Sequence, residues 1–336
     1  MSTKLFTLVI VAAVGVAACS SGGDDTVEST DAATTVAPIE STVSAVTTEP
    51  EAPATTESPE TTEVAPTTEA AEVEPVTVGE WIAIPGGDDC RCSDGSPFEL
   101  WERPADPTKV VLYFQGGGAC FSAETCGPGS ETFTRNLTIG AAPDFGGIFD
   151  ETNPENPLAG HSIIYVPYCT GDVHLGDRVT EYSDTVTIDH NGFPNARKGL
   201  DTVLANYPDV EQLVVAGASA GSIPTPAFAG LAADVLTDTE IVTFGDSSAA
   251  YPDVPALNAG IGALWGVLDN VPDWPVNEGL SPEEWSFPGL YVQAGTQHPD
   301  ITFARFDYAY DQVQANFAAL AGIQADDLVT FIDQTE

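Results

Sequence analysis

The residues best suited to chemistry lie in "VVAGASAGS" (214–222), where Gly217-Ala218-Ser219-Ala220-Gly221 fits G-x-S-x-G. A short apolar run, 212–217, precedes the motif and a helical pattern follows it. Ser219 therefore falls on a sharp strand-to-helix turn, which lifts its hydroxyl to the carboxyl edge of a sheet; small neighbours let the turn close. The chemistry is nucleophilic. A serine oxygen attacks a carbonyl carbon, and backbone amides hold the negative charge that develops on the carbonyl oxygen. "LYFQGGGACF" (112–121) supplies such amides, because three glycines directly after a strand form an anion-binding nest. The amide that follows the nucleophile, that of Ala220, is the other donor.

A serine hydroxyl also needs a base, which is itself oriented by an acid. Four histidines are available: His161, His174, His190 and His298. His174 follows the strand that ends near Cys169, which brings it to the active edge; it reads first as a structural or substrate-contacting residue, and among the histidines it is the first candidate for the base. His298 is a lesser one, and His161 and His190 read as loop residues. Asp246, at the end of "EIVTFGD", is placed to serve as the acid; Asp300 and Asp307 are further carboxylates of the same region.

The elements that must position these groups alternate. Strands are expected at 79–85, 97–104 and 109–115, with "PADPT" as a turn. Beyond 116 come a buried strand at 161–169, a helix at 195–208 stopped by Pro208, the strand 212–217, and a helix after Ser219 with an irregular first turn at Pro224 and Pro226. Strands at 240–246 and 289–295 and an amphipathic helix at 306–322 complete the series. Uniformly apolar strands alternating with helices predict an α/β fold with a mostly parallel central sheet covered on both faces. Residues 250–288, with Trp265, Trp274 and Trp285, read as a small cap insertion.

The N-terminus has a different character. Lys4, an apolar run from Leu5 to Ala18 and Val16-Ala17-Ala18-Cys19 form a lipoprotein signal peptide, 1–19, too short to span a bilayer. Lipidation of Cys19 and anchoring to the membrane outside the cytoplasm are expected. Residues 20–76 hold 13 acidic residues and no Lys, Arg, aromatic residue or Cys, a Thr/Glu/Pro-rich composition that reads as a disordered stalk. The remainder, 77–336, carries 38 acidic and 8 basic residues, which argues against nucleic acid as a partner. Export makes disulfides the expected use of Cys90, Cys92, Cys120, Cys126 and Cys169, an odd number. Their spacing fits no zinc framework, so neither metal nor other cofactor is expected. The domain is expected to act as a monomer.

In "FQGGGACFSAETC" (114–126), "VPYCTGDVHLGD" (166–177), "GASAGS" (217–222) and "AYDQVQ" (309–314) the chain resembles the pectin acetylesterase and Notum-like family of carboxylesterases. The resemblance covers most of 90–332. It implies an α/β-hydrolase fold and hydrolysis of a carboxylic ester, on a small molecule or a polysaccharide such as an acylated saccharide. It further implies an oxyanion hole from Gly117, Gly118 and Ala220, Asp311 as the acid, and disulfides Cys92–Cys169 and Cys120–Cys126. One departure stands out: the fold's order is Ser, then Asp, then His, and no histidine follows Asp311. The expectation is a chain lacking its C-terminal end. The alternatives are a replacement base, His174 first, with Asp246 as the alternative acid, or a catalytically impaired surface binding protein on a hydrolase scaffold.

Overall fold

Runs of Val, Ile, Leu and Phe fix the sheet. In the computed structural model, β1 (Ile82–Pro85), β2 (Glu99–Arg103), β3 (Asp106–Phe114) and β4 (His161–Val166) are followed by β5 (Arg178–Ser183) and β6 (Val186–His190). Then come β7 (Gln212–Ala218), β8 (Glu240–Asp246) and β9 (Thr302–Phe306). The structure describes residues 76–336 except 143–145, 249–250, 252, 324–327 and 336, and the side chains of 334 and 335. Cys19, the signal peptide and nearly all of the stalk lie outside the described residues.

Seven strands form one sheet in the order β1-β2-β4-β3-β7-β8-β9. From β4 to β9 all neighbours are parallel, while β1 and β2 are antiparallel additions at one edge. The parallel register aligns Phe114 with Val166 and Gly217, and Ala218 with Asp246. The residues just beyond these positions therefore share the carboxyl edge, where ligands bind in open α/β sheets.

The helices are α1 (Ala123–Cys126), α2 (Gly192–Asn206), α3 (Thr225–Ala233), α4 (Pro255–Trp265), α5 (Phe287–Gln297), α6 (Gln312–Leu320) and α7 (Leu328–Thr335). One face of the sheet presents Leu112, Phe114, Val166, Leu213 and Val215 to α2 and α3, whose Leu200, Val203, Phe228 and Ala229 complete the main core. The other face carries Val111, Ile163, Tyr165 and Val214 under Trp81, Tyr113 and Phe149. The cap residues Ile261, Trp265 and Trp285 pack with Ala119, Val173, Ala220 and Ile223 over the carboxyl edge.

Four expectations are corrected. Residues 289–295 are helical, inside α5. Ser286 caps that helix by accepting from Gly289 N–H, Pro288 sits in its first turn, and buried Leu290, Gln293 and Ala294 follow the i, i+3, i+4 spacing. The strand beside β8 is instead β9, at residues expected to precede or begin a helix. The helix expected from 306 starts at Gln312, because Asp311 caps it. Asp106–Thr108, expected in a turn, already belong to β3. The antiparallel pair β5–β6 was not expected at all.

Candidate active site

Ser219 follows β7 in a left-handed backbone conformation, φ 53°, which costs a non-glycine residue steric energy. Such strain marks a turn that the surrounding structure enforces. The enforcement is visible. The Ser219 carbonyl accepts from Ser222 N–H at 2.9 Å, from the Ser222 hydroxyl at 2.9 Å and from the Ser248 hydroxyl. Glycine at 217 is needed because a Cβ there would stand 2.0 Å from the Gly221 carbonyl oxygen.

The glycine loop touches this elbow directly. A Cβ on Gly116 would lie 2.5 Å from the Ala218 carbonyl oxygen and 2.9 Å from Ser219 Cβ. Gly118 turns with φ 79°, and a Cβ there would meet the Thr132 carbonyl oxygen at 1.8 Å. The segment 132–134 clamps the loop from outside: Thr134 N–H donates to Gly117 O at 3.0 Å and Ala119 N–H to Thr132 O at 3.1 Å. Among the described residues, the amides of Gly117, Gly118 and Ala220 donate to no acceptor. Unspent amides near a serine are what an oxyanion site requires.

Two disulfides brace the loop. Cys120–Cys126 ties the residue after Ala119 to α1, and Cys92–Cys169 ties the segment before β2 to the end of β4. Cys90 stays a buried free thiol, and burial pushes it up to about 11, so it is not a reactive thiolate. The cap joins the brace through Trp265 Nε1–H, which donates to Cys120 O at 2.8 Å.

Beside Ala119 and Ile223 opens a narrow apolar pocket of about 50 Å³, walled by Val173, Tyr251, Trp265 and Phe317. Phe317 also borders an open groove that runs past Gly117 and Gly118 along Thr132 and Thr134. The elbow and loop thus adjoin a narrow apolar pocket and a wider, more polar groove.

The acids and bases are distributed as follows. Asp246 stands at the end of β8 in register with Ala218 and accepts from the Ser247 hydroxyl at 2.7 Å. It helps burial to push Tyr113 up to about 12. Asp311 accepts from Val313 and Gln314 N–H at 2.8 and 3.1 Å as the cap of α6, and from Gln314 Nε2 at 3.2 Å. Burial raises Tyr251, which lines the apolar pocket, and Asp311 and Asp307 raise it further.

Each histidine has a ring nitrogen bonded to a group other than Ser219. His174 Nε2 lies 2.8 Å from the Gln115 carbonyl. Both ring nitrogens of His190 are used, by the Tyr182 hydroxyl at 2.8 Å and Thr170 O at 3.0 Å. Burial pushes His174 and His190 down to about 4. His161, at the start of β4, meets Gln212 at 3.2 Å, and His298, just before β9, pairs with Asp234 at 2.8 Å. Both belong to the amino ends of parallel strands, the edge away from Ser219. Asp300 also precedes β9, whereas Asp307 follows it.

One group was missed by the sequence reading. Asp172, fully buried, accepts from Thr170 Oγ1 at 2.6 Å, Gly192 N–H at 2.8 Å and His174 N–H at 3.2 Å. Burial pushes it up to about 7. Its only signal was its place in "VPYCTGDVHLGD" beside His174.

Compared with known proteins, residues 80–255 match the pectinacetylesterase family. The chain is similar to palmitoleoyl-protein carboxylesterase notum2 of Xenopus laevis, 30% identical over 91 residues, which are 26% of this chain and 19% of that protein. It is 27% identical over 136 residues to palmitoleoyl-protein carboxylesterase notum1a of Danio rerio, covering 39% and 27%. Inactive palmitoleoyl-protein carboxylesterase notum1b of Danio rerio matches at 31% over 90 residues, covering 25% and 65%. The matched stretches thus span less than two thirds of each of these relatives.

Proposed function

The chain belongs to the pectinacetylesterase family, and from that premise we propose that it is a serine carboxylic-ester hydrolase whose nucleophile is Ser219. The observation that carries the reading is the strained Ser219 turn lying against a glycine loop with unspent amides. In this reading the serine oxygen bonds to the ester carbonyl carbon, and the carbonyl oxygen takes up negative charge facing the Gly117, Gly118 and Ala220 amides. Collapse of that intermediate expels the alcohol, which carries away the proton given up by the Ser219 hydroxyl, and leaves an acyl-enzyme, which water then hydrolyses to the acid and the free serine. The substrate is an extracellular ester with a hydroxyl-rich alcohol such as an acylated saccharide. The two disulfides support an oxidising compartment, and lipidation at Cys19 would hold the domain at the membrane surface.

A specific observation favours a second reading. Each of the four histidines has a ring nitrogen bonded to a group other than Ser219, and among the described residues no imidazole is hydrogen-bonded to Ser219. A catalytically impaired binding protein on the same scaffold would look this way. A fluorophosphonate probe separates the two. Slow but stoichiometric labelling, lost in Ser219→Ala, supports the esterase; a chain that stays unlabelled after prolonged exposure is a binder.

A further inference from the structure

His174 follows β4 at the carboxyl edge of the sheet, and its ring is committed to the main chain. It is 1% exposed and lies between Phe114 and Tyr168, with ring centroids 5.2 and 4.7 Å away. Its Nε2 lies 2.8 Å from the Gln115 carbonyl oxygen. A carbonyl only accepts, so Nε2 carries the proton and donates. The lone pair that a base would present from that atom is absent.

Gln115 is the residue immediately before the three glycines. Its N–H donates to Val166 O at 3.0 Å, and its side-chain oxygen accepts from Tyr168 N–H at 3.1 Å. With His174 on its carbonyl, each of these polar groups of the residue is held. His174 is held in turn. Its N–H donates to Asp172 at 3.2 Å, its backbone sits at φ 61°, and the neighbouring Val173 N–H donates to the Tyr168 hydroxyl at 2.8 Å. The Tyr168 ring lies under Gly117, where a Cβ would approach Cδ1 to 2.6 Å. A chain of fixed contacts therefore runs from Asp172 through His174 and Tyr168 to the root of the glycine loop.

Resting on the reading of Ser219 as nucleophile, we infer that His174 is a positioning residue: as a neutral donor to the Gln115 carbonyl it sets where the Gly117 and Gly118 amides point. It takes no proton from Ser219. The effect on the reaction is indirect, since an oxyanion donor displaced by a fraction of an ångström no longer meets the developing charge.

Two substitutions separate this role from that of a base. In His174→Gln the side-chain amide nitrogen reaches the position of Nε2 and keeps the donor. In His174→Asn the nitrogen falls at the position of Nδ1, one atom short, and the Gln115 carbonyl loses its partner. Left-handed backbone favours Asn, so strain at φ 61° predicts the opposite ranking. The readouts are the labelling rate of Ser219 by a fluorophosphonate and the amide hydrogen exchange of residues 115–119, both in the full chain. Labelling of His174→Gln should stay within about threefold of the unsubstituted chain, while His174→Asn should fall about tenfold and exchange faster at 115–119, the loss expected for one buried hydrogen bond.

Equal loss in both variants, down to the Ser219→Ala background, would make His174 the proton acceptor and overturn the inference. So would labelling and exchange of His174→Asn that match the unsubstituted chain. Should His174→Asn not fold, His174→Gln decides alone: retained labelling supports the positioning role and loss refutes it. If the unsubstituted chain does not label while exchange still separates Asn from Gln, the nucleophile reading falls and the positioning role stands.

Discussion

At the scale of single residues, Ser219 combines a built turn with no hydrogen-bonded histidine among the described residues. Without a free imidazole a serine hydroxyl is a weak nucleophile at neutral pH. The oxyanion donors and binding alone leave about 10³–10⁴-fold catalysis over water in a serine hydrolase stripped of its triad. The expected outcome is slow turnover of activated aryl esters, whose phenolates leave unaided, and almost none of alkyl esters, whose alkoxides need a proton. Ser219→Ala should lower the aryl-ester rate only modestly, and initial rates for the two chains measure this. Rapid alkyl-ester turnover abolished by Ser219→Ala would show that one of the four histidines acts as the base after all. Asp172 makes a separate prediction. Its carboxyl is raised to about 7, so between about pH 4 and 7 the folded chain keeps a proton that the unfolded chain has released. This group's contribution to stability therefore falls as pH rises through that window. His174 and His190, lowered to about 4, act in the opposite sense, adding stability as pH rises from about 4 to 6.5. Asp172→Asn leaves a donor facing a donor, with a cost of about 1–3 kcal/mol at low pH that shrinks toward pH 7.5. Urea midpoints at pH 4.5 and 7.5 check it; a cost that is the same at both would refute the raised carboxyl.

At the scale of elements, the two disulfides do unequal work. Cys92–Cys169 closes a separation of 77 residues and Cys120–Cys126 one of 6. Loop-closure entropy assigns about 4 kcal/mol to the long ring and about 2 kcal/mol to the short one. Replacing Cys92 and Cys169 together by Ser should lower the melting temperature by roughly 10 °C in a domain of this size. The Cys120/Cys126 double substitution should lower it less while slowing Ser219 labelling more, because it frees the residue next to the glycine loop. Calorimetry and labelling on the same two variants give the comparison, and a larger melting loss for the short ring would refute it. The same elements show what a sequence makes legible. The parallel strands around 110–114, 161–166, 212–218 and 240–246 were readable because burial on both faces demands unbroken apolar runs. Residues 289–295 gave such a run too, and only Ser286 and Pro288, as cap and first turn, distinguish the helix. In β6, buried Val186, Ile188 and His190 alternate with more exposed residues, a strand signal that was present and passed over. The elbow and the glycine loop were legible because each is contiguous. The Gln115–His174–Asp172 chain was not, since its ends are brought together only by the parallel register of β3 and β4.

At the scale of the whole molecule, charge sets the terms. Residues 77–336 carry 38 acidic and 8 basic side chains, and several of the bases are already spent. Arg91 pairs with Asp189, Arg103 with Glu151, Arg178 with Asp269 and Arg197 with Asp201. Acidic side chains far outnumber basic ones beyond these pairs, and folding holds them closer together than the unfolded chain does, so self-repulsion opposes the compact state. Such a field slows the approach of any polyanion at low ionic strength. Salt should relieve the repulsion. The screening length falls from about 30 Å at 0.01 M to about 3 Å at 1 M, which removes interactions between distant carboxylates first. Exposed ion pairs such as Arg178–Asp269 and Arg197–Asp201 lose little, because each contributes about 0–1 kcal/mol to begin with. The two effects have opposite signs, and their sizes decide the outcome: many long-range repulsions outweigh a few weak attractions. Sodium chloride from about 0.01 to 1 M should therefore raise the melting temperature, most steeply at the low end, where screening changes over the distances between surface charges. Chloride is the suitable anion, since sulfate would strengthen apolar burial and confound the reading. The effect should fade near pH 4, where the carboxylates begin to take up protons and the repulsion disappears without salt. A melting temperature that falls as chloride is added at pH 7 would mean that the paired arginines, and not the excess carboxylates, govern the stability of this domain.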